Sequence, residues 1–260
     1  MGVLNVTPDS FSDGGDFLES SAAVAHAELL AAEGADVIDV GGESTRPGAA
    51  PVGEEEELRR VLPVFEALRD RRLAPLSIDT GKAGVAHAAL AAGATFVNDV
   101  SALRADPGMA RVVADAGADV CLVHMRGEPR TMQENPTYEE VVREVREFLE
   151  ERLAFAVAAG IPEEKVWLDP GIGFGKTLEH NLELLRRLDE IVSIGRPVVV
   201  GVSRKRFIGR LTGKAERDRL AGSLAAAVLA FERGATMFRV HDVGPTRDAL
   251  AVAGATLDGN

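Results

Sequence analysis

Short apolar runs alternate along the chain with longer stretches in which apolar residues recur at helical spacing. Continuous apolar runs rich in β-branched residues are typical of strands that are buried on both faces, as in a parallel sheet. The pattern therefore predicts eight parallel strands. They cover residues 3–6, 37–40, 76–78, 96–97, 120–123, 166–168, 198–202 and 237–240.

The ends of the predicted helices carry a recurring phrase, in which a glycine and an alanine are followed by aspartate or threonine. Glycine is favoured just past a helix end because the backbone there turns left-handed. Each copy therefore predicts a helix that stops directly before a strand. The glycines concerned are Gly34, Gly93, Gly117 and Gly234, and Gly160 and Gly195 punctuate two further helix ends. A capping box of Thr137 and Glu140 predicts the start of the helix that follows them.

Eight strands that alternate with about eight helices predict an α/β fold, a (β/α)8 TIM barrel. The 260 residues suit one barrel, and no linker or low-complexity segment interrupts the alternation, so we expect a single domain over residues 1–260. A doubly wound open sheet is the alternative architecture that the same alternation allows.

Charge and cysteine content narrow the class of protein. The formal net charge of −12 disfavours nonspecific binding to nucleic acid or to an anionic membrane. An anionic ligand would need local cations or a metal ion. Cys121 is the sole cysteine and lies in an apolar run, which indicates a buried packing role and a reducing compartment. No run approaches the roughly 20 apolar residues of a membrane span, and we expect a cytoplasmic protein.

Polar side chains crowd the positions where the predicted strands end. Barrel enzymes place their chemistry there, in the loops that lead from strand to helix. The opposite strand ends are mostly alanine, glycine and proline. This asymmetry predicts an active site at the carboxyl ends of the strands. The residues at this rim are Asn5, 43–46, Asp79, 98–99, 124–125, Asp169, 203–205, Arg239 and His241.

Two chemical sets stand out at the rim. Cations suited to a phosphate or diphosphate form the first, which comprises Arg46, Lys205, Arg239 and His241. Asp79, Asn98 and Asp169 form the second, and buried carboxylates with an amide suit a heterocycle with several N–H donors on one edge, such as an aminopyrimidinone. No nucleophilic triad is visible, because Ser203 has no base beside it in the sequence.

The same residues carry a resemblance to dihydropteroate synthases. The first two motifs are long and unusual, and the matches run in order from residue 1 to about 243. They are Asn-Val-Thr-Pro-Asp-Ser-Phe-Ser-Asp-Gly-Gly at 5–15, Gly-Gly-Glu-Ser-Thr-Arg-Pro-Gly at 41–48, Asp-Pro-Gly-Ile-Gly-Phe-Gly-Lys at 169–176, Ser-Arg-Lys at 203–205 and Arg-Val-His-Asp at 239–242. Family members usually have residues ahead of strand one, whereas this sequence begins almost in that strand.

The resemblance implies that the chain joins 6-hydroxymethyl-7,8-dihydropterin diphosphate to p-aminobenzoate, with Mg²⁺ as cofactor and as a homodimer. Sulfonamides are expected to mimic p-aminobenzoate. The implied catalytic residues are Asp79, Lys205, Arg239 and His241. The implied pterin-binding residues are Asp79, Asn98, Asp169 and Lys205. Diphosphate is expected on Asn5, Thr45, Arg46, Arg239 and His241, with Asn5 also a metal ligand. The p-aminobenzoate pocket is expected from Phe11, Thr45, Pro47, Phe174 and Lys205.

The implied mechanism is an SN1-like displacement. The neutral arylamine already has its lone pair, so loss of diphosphate from a methylene carbon is the difficult step. Cations stabilise the charge that builds on the leaving group, and Asp79 stabilises positive character on the ring. We also expect the loops at 7–16 and 43–53 to order when Mg²⁺ and diphosphate bind, before p-aminobenzoate does.

Two other functions share part of this pattern. A methyltransferase that uses methyltetrahydrofolate would need the pterin-edge carboxylates, but not the diphosphate cations or the loop at 45–47. A pterin-binding paralogue without catalysis would lack parts of the first two loops, and both motifs are complete here.

Several polar residues have plainer interpretations. The run of acidic residues at 54–57 is expected to be a solvated face at a helix start. Asp99 is a candidate helix N-cap, and His124 is expected to orient a loop, with a role in the site as its alternative. His26, His87 and His180 are expected on helix surfaces.

Overall fold

A closed ring of eight parallel strands forms the centre of the protein, as a computed structural model shows it. The structure describes residues 1–7, 16–44, 49–71, 73–128 and 130–257, with the backbone alone at 16–20. Each of the eight predicted strands is present. They are β1 (Gly2–Asn5), β2 (Ile38–Gly41), β3 (Leu76–Asp79), β4 (Ala94–Asp99), β5 (Asp119–Val123), β6 (Val166–Asp169), β7 (Val199–Val200) and β8 (Met237–Phe238).

The ring is closed by two short pairings. Strands β1 to β6 form one parallel sheet in sequence order, and β7 pairs with β8 in a second. Gly2 bridges Val240, and Leu168 bridges Val198, so the two-stranded piece fills the gap between β6 and β1. This closure confirms the barrel and excludes the open doubly wound sheet. Strands β7 and β8 are shorter than predicted. Val198 and Val240, at the ends of the predicted strands, make only these isolated bridges.

Helices surround the barrel, and those in the described part of the chain begin and end as follows. They are α1 (Asp16–Ala32), α2 (Glu54–Leu68), α3 (Ala83–Ala91), α4 (Met109–Ala116), α5 (Val141–Ala158), α6 (Leu178–Arg186), α7 (Leu188–Val192), α8 (Arg206–Thr212), α9 (Leu220–Glu232) and α10 (Val243–Leu257). The count exceeds eight because the helix after β6 breaks at Arg187, and because the short α8 precedes α9 between β7 and β8. None of them has the length and apolarity that a membrane crossing needs.

The glycines predicted to end helices have the backbone conformation expected there. Gly34, Gly93, Gly117 and Gly234 all have positive φ, between 61° and 112°. A side chain is rarely tolerated in that region, which explains why glycine recurs there. Each of these turns delivers the chain to the amino end of the next strand, so the strands' carboxyl ends all face the other side of the barrel.

The predicted capping box of Thr137 and Glu140 is wrong in its register. Helix α5 begins at Val141, and Glu140 itself is the N-cap, because its carboxylate accepts from the backbone N–H of Arg143. A capping box does occur at α6, where the Thr177 hydroxyl accepts from His180 N and the His180 ring accepts from Thr177 N.

Most of the apolar side chains pack in one cluster between the strands and the helices. A second, smaller cluster contains Met1, Val37, Phe96 and Val199, and Cys121 is buried in it, as predicted. Trp167 of β6 packs against the Phe96 ring there, at 5.8 Å between ring centres, and donates from Nε1 to Asp119 at 3.2 Å. These contacts pack the part of the barrel around β5 and β6.

Candidate active site

A cavity of about 1190 Å³ opens at the carboxyl ends of the strands, where the sequence predicted the site. We call it the rim cavity. The described residues among the predicted set all line it, namely Asn5, Asp79, Asn98, Asp169, Phe174, Lys205, Arg239 and His241. Phe11, Thr45, Arg46 and Pro47 lie outside the described residues, so their predicted roles stay predictions.

The parallel register explains why the pterin-edge set converges. Asp79 ends β3 and faces Asn98 of β4 as its register partner. Asp169 ends β6, beside Val123 of β5. Parallel strands end together at one side of a barrel, so residues that are distant in sequence meet at the same depth. Asp79, Asn98 and Asp169 are all buried. The two aspartates are therefore not carboxylates of loops exposed to solvent.

Asp39 joins this set, and sequence analysis missed it. Asp39 lies inside β2, fully buried, and its Oδ2 accepts from Arg239 Nε at 2.6 Å and from Asn98 Nδ2 at 3.1 Å. The same guanidinium donates from Nη2 to Asp79 Oδ2 at 2.7 Å. Within the described part of the chain, no group bonds Asp39 Oδ1. A charged residue inside an otherwise apolar strand was the signal available in the sequence, because burying it requires a partner.

Arg239 is therefore bonded to two carboxylates, contacts that its predicted roles in catalysis and diphosphate binding did not include. Burial raises the pKa of Asp79 to about 7, although the attraction of Arg239 works against that rise. The nearby charge of Asp39 raises the pKa of Asp79 further. Near neutral pH, the Asp79 carboxyl thus exchanges readily between its charged and protonated forms.

The glycine-rich loop after β6 is fixed by hydrogen bonds to its backbone. Asp169 Oδ1 accepts from Gly171 N at 2.6 Å, so the other carboxylate oxygen is the one left for a ligand. Gln133 Nε2 donates to Gly173 O, and Asn181 Oδ1 accepts from Gly173 N, both at 2.6 Å. A Cβ on Gly171 would lie 1.8 Å from the His124 carbonyl oxygen, which no side chain allows.

Phe174, at the end of this loop, meets Lys205 across the cavity. The Lys205 ammonium lies 4.2 Å from the centre of the Phe174 ring, a cation–π distance. Lys205 comes from the N-cap position of α8, after β7. Loops from two different strands therefore bring together an aromatic wall and a cation, as the predicted p-aminobenzoate pocket requires.

Lys176 and His124 form a buried pair behind this loop that sequence analysis did not identify. Lys176 Nζ lies 2.8 Å from His124 Nδ1 and donates to Phe174 O at 3.0 Å. Burial is the main cause that lowers the pKa of Lys176 well below its usual range and lowers the pKa of His124 to about 2. His124 thus contacts the loop after β6 through Lys176, as its expected role in orienting a loop requires.

Three other interpretations of polar residues need correction. Ser203 does have an imidazole beside it, because the fold places His241 Nδ1 3.0 Å from its hydroxyl. The hydroxyl also accepts from His241 N, so we assign Ser203 to orienting the His241 ring. Asp99 caps a turn, with bonds from Ser101 N and Leu103 N, well before α4 begins. Among the acidic residues at 54–57, Glu57 is fully buried instead of solvated.

Glu57 belongs to a cluster at the base of the second loop. Lys82 donates to Glu57 Oε2 at 2.5 Å and also to Glu43. The second oxygen of Glu43 accepts from Val52 N at 3.1 Å, which joins the two ends of the loop at 43–52. This cluster fixes the stems of the segment on which Thr45, Arg46 and Pro47 lie. Residues of helix α2 and of the turn before α3, which are distant in sequence, therefore support the stems of the loop.

The rim cavity offers an oxygen donor for Mg²⁺ in Asn5, the last residue of β1. Within the described ranges, no group of three or more His, Cys, Asp or Glu side chains is placed to hold a metal ion. Mg²⁺ typically keeps several waters and binds one or two protein oxygens together with substrate phosphates. A single amide oxygen beside the predicted diphosphate-binding residues fits that mode of binding.

Comparisons with known proteins agree with this geometry. The family of pterin binding enzymes matches residues 1–241. The dihydropteroate synthase of Escherichia coli K12 is 51% identical over 257 residues, which cover 99% of this chain and 91% of the relative. The dihydropteroate synthase of Neisseria meningitidis serogroup B is 48% identical over 258 residues, with 97% and 90% covered.

Solved structures give the same result. The Yersinia pestis dihydropteroate synthase with a sulfonamide drug matches at a TM-score of 0.94 and 46% identity, covering 99% of this chain and 94% of that one. The Xanthomonas albilineans dihydropteroate synthase with 4-aminobenzoic acid matches at 0.93 and 52%, with 99% and 92% covered. This chain belongs to the pterin binding enzyme family, and within it to the dihydropteroate synthases.

Proposed function

We propose that the rim cavity condenses 6-hydroxymethyl-7,8-dihydropterin diphosphate with p-aminobenzoate and releases diphosphate. The observation that carries this assignment is the convergence of buried Asp79, Asn98 and Asp169 with Lys205 in one cavity. Carboxylates and an amide bind the N–H-rich edge of a pterin, and the cation binds acceptors on the ring. Related structures from Xanthomonas albilineans contain 4-aminobenzoic acid and 7,8-dihydropteroate, which supports both ends of the reaction.

The residues divide the work as follows. The outward oxygen of Asp169 and the amide of Asn98 take the aminopyrimidinone edge. Asp79 lies beside a ring N–H and stabilises positive character as the methylene carbon loses its leaving group. The ring supplies the electrons, so an SN1-like step needs no strong base on the protein.

Departure of diphosphate is assisted by a second set of residues at the rim. Arg239, His241 and Asn5 face the leaving group, with Thr45 and Arg46 supplied by the second loop. Bound Mg²⁺, held through Asn5, would neutralise charge on the diphosphate oxygens. The Ser203 hydroxyl lies 3.0 Å from His241 Nδ1 and orients the ring.

The arylamine enters between Phe174 and Lys205, with Phe11, Thr45 and Pro47 contributed by the first two loops. The ammonium of Lys205 lies against the Phe174 ring. In that position it is suited both to bind the pterin and to form one wall of the p-aminobenzoate pocket. Sulfonamides imitate the arylamine and would occupy the same pocket, and the structure of the Yersinia pestis relative is a complex with a sulfonamide drug.

A single assay tests the proposal. Diphosphate release is measured with each substrate alone and with both, in the presence of Mg²⁺. We expect release that depends on both substrates and that stops when Mg²⁺ is chelated. Methyl transfer from methyltetrahydrofolate, without diphosphate release, would overturn the assignment.

A homodimer is proposed from the outer face of α9 and α10. Leu229, Val252 and Leu257 are 48%, 70% and 54% exposed, and large apolar side chains at this density favour burial against a second copy. Sedimentation of the wild type and of Val252→Glu measures this, and an unchanged monomeric mass in both would contradict it. A cytoplasmic location is proposed from the lone buried cysteine.

A further inference from the structure

The positive charge of this acidic chain is unevenly distributed. Seven of its 29 lysines and arginines lie between residues 204 and 219, together with two acidic residues, although the chain as a whole has a net charge of −12. The segment follows β7 and contains α8. The function just assigned uses only Lys205 from it.

The arginines of this segment fall into two groups. Arg204 and Arg219 are held by the fold: Arg204 pairs with Asp242, and Arg219 Nη1 donates to Arg204 O at 2.9 Å. Arg206, Arg210 and Arg217 are exposed, and all three line the outer wall of the rim cavity. We call these three residues the arginine shelf.

The position of the shelf has an electrostatic consequence. Both substrates are anionic, and the overall charge of the protein repels them at long range. At physiological salt the Debye length is about 8 Å, so an approaching anion responds mainly to the charges at the cavity mouth. Three exposed guanidinium groups outweigh Glu216 on the same wall and Glu179, whose charge interacts with Arg210, and a concave surface concentrates their field.

We propose that the arginine shelf is an outer anion-binding surface that captures the pterin diphosphate and directs it into the rim cavity. The inference rests on the proposed function, since it takes the diphosphate as substrate. The shelf accelerates association, while the inner residues hold the bound ligand. Rim charges of this kind change the association rate and its salt dependence more than the chemistry of the bound state.

The test compares two variants with equal net charge. The first carries Arg206→Gln, Arg210→Gln and Arg217→Gln. The control carries Arg71→Gln, Arg111→Gln and Arg143→Gln, three exposed arginines that do not line the rim cavity. Stopped-flow pterin fluorescence gives the association rate constant of the diphosphate between low salt and about 1 M KCl, where the Debye length falls to about 3 Å.

For the shelf variant, we expect association of the pterin diphosphate to slow about tenfold at low salt and to converge with the wild type at high salt. The neutral alcohol, 6-hydroxymethyl-7,8-dihydropterin, should associate equally fast with all three proteins. Turnover of the shelf variant at saturating substrate should be retained. The two proposals therefore fail on different results: absence of diphosphate release in the wild type would refute the proposed function alone.

Three results would overturn the inference. The shelf variant could match the control variant in rate and salt dependence, which would remove any special role of these arginines. It could slow the neutral alcohol as much as the diphosphate, which would indicate a change of shape rather than of charge. A rate loss confined to p-aminobenzoate would assign the shelf to the second substrate and refute capture of the diphosphate.

Discussion

Lys176 Nζ lies 2.8 Å from Nδ1 of His124, and both side chains are buried. A carbonyl oxygen can only accept, so the bond to Phe174 O fixes the amine as a donor there. His124 stays neutral because its pKa is lowered to about 2, mainly by burial, and its Nδ1 can therefore accept from the amine. The pair ties the end of β5 to the loop that presents Asp169 and Phe174.

Replacing Lys176 by methionine should loosen that loop. The Phe174 carbonyl and His124 Nδ1 would lose their donor in a buried place, at a cost on the order of 3 kcal/mol in the free energy of unfolding. We expect the KM for p-aminobenzoate to rise more than kcat falls, since the aromatic wall moves. Lys165→Met, at the other end of the barrel, is the control. Chemical denaturation and steady-state kinetics measure both effects, and equal KM values would contradict the assignment.

The neutral state of His124 makes stability depend on pH. The unfolded state takes up a proton near the usual pKa of 6.5, whereas the folded state does so only near 2. The contribution of His124 to stability is therefore fully present above about pH 6.5 and falls by up to about 1.4 kcal/mol per pH unit below it. His124→Gln should flatten that slope, and His87→Gln, at an exposed position, should leave it unchanged. Urea titrations between pH 4 and 7 decide the matter.

Asp169→Asn should weaken pterin binding by on the order of 3 kcal/mol. One oxygen is committed to Gly171 N, so the new amide group points into the cavity and meets the N–H groups of the pterin. Calorimetry with a non-reactive pterin analogue measures the loss. Asp119→Asn, below the barrel, is the matched control and should bind normally. Wild-type affinity in Asp169→Asn would remove this carboxylate from the pterin site.

The rate with limiting pterin diphosphate should fall as the pH drops below about 7. Asp79 must be charged to accept a ring N–H, and its pKa of about 7 places the protonation there. Because the charge of Asp39 raises that pKa, Asp39→Asn should move the acid limb to lower pH. A profile of kcat/KM between pH 5 and 8 tests the shift, and an unmoved limb would assign the titration to another group.

Lys82→Met should weaken the contacts that fix the stems of the second loop, at 43–52. Removing the ammonium leaves Glu57 buried and unpaired, which costs about 3–5 kcal/mol. Glu43, whose other oxygen accepts from Val52 N and so joins the loop ends, also loses its bond to Lys82. We expect a lower midpoint of thermal unfolding and a higher KM for both substrates. Lys214→Met, on the exposed turn after α8, controls for loss of one positive charge and should behave as the wild type.

The fold was largely predictable because its signals are local. Apolar runs mark strands, and a glycine such as Gly34 or Gly117 marks the left-handed turn that ends a helix. The rim was predictable for the same reason: in a parallel barrel, the residue after each apolar run lies on the functional side. Asp79 and Asp169 needed no three-dimensional information beyond that rule.

The supporting network could not be predicted, because each of its bonds joins residues far apart in sequence. Nothing near Asp39 indicates that Arg239 will reach it, and nothing near His241 indicates Ser203. In the sequence, Glu57 belongs to an acidic run with the pattern of a solvated face, whereas in the structure Lys82 donates to it. Such partners are set by the curvature and register of the whole sheet.

Closure of the barrel by β1 and β8 also bears on the order in which the chain folds. The bridge between Gly2 and Val240 joins opposite ends of the described chain, so it is among the most entropically demanding contacts to form. Strands β1 to β6 are each paired with their sequence neighbour and can assemble in succession. Refolding should therefore populate an intermediate with an open six-stranded sheet, and attachment of the β7–β8 piece should be the late, slow phase.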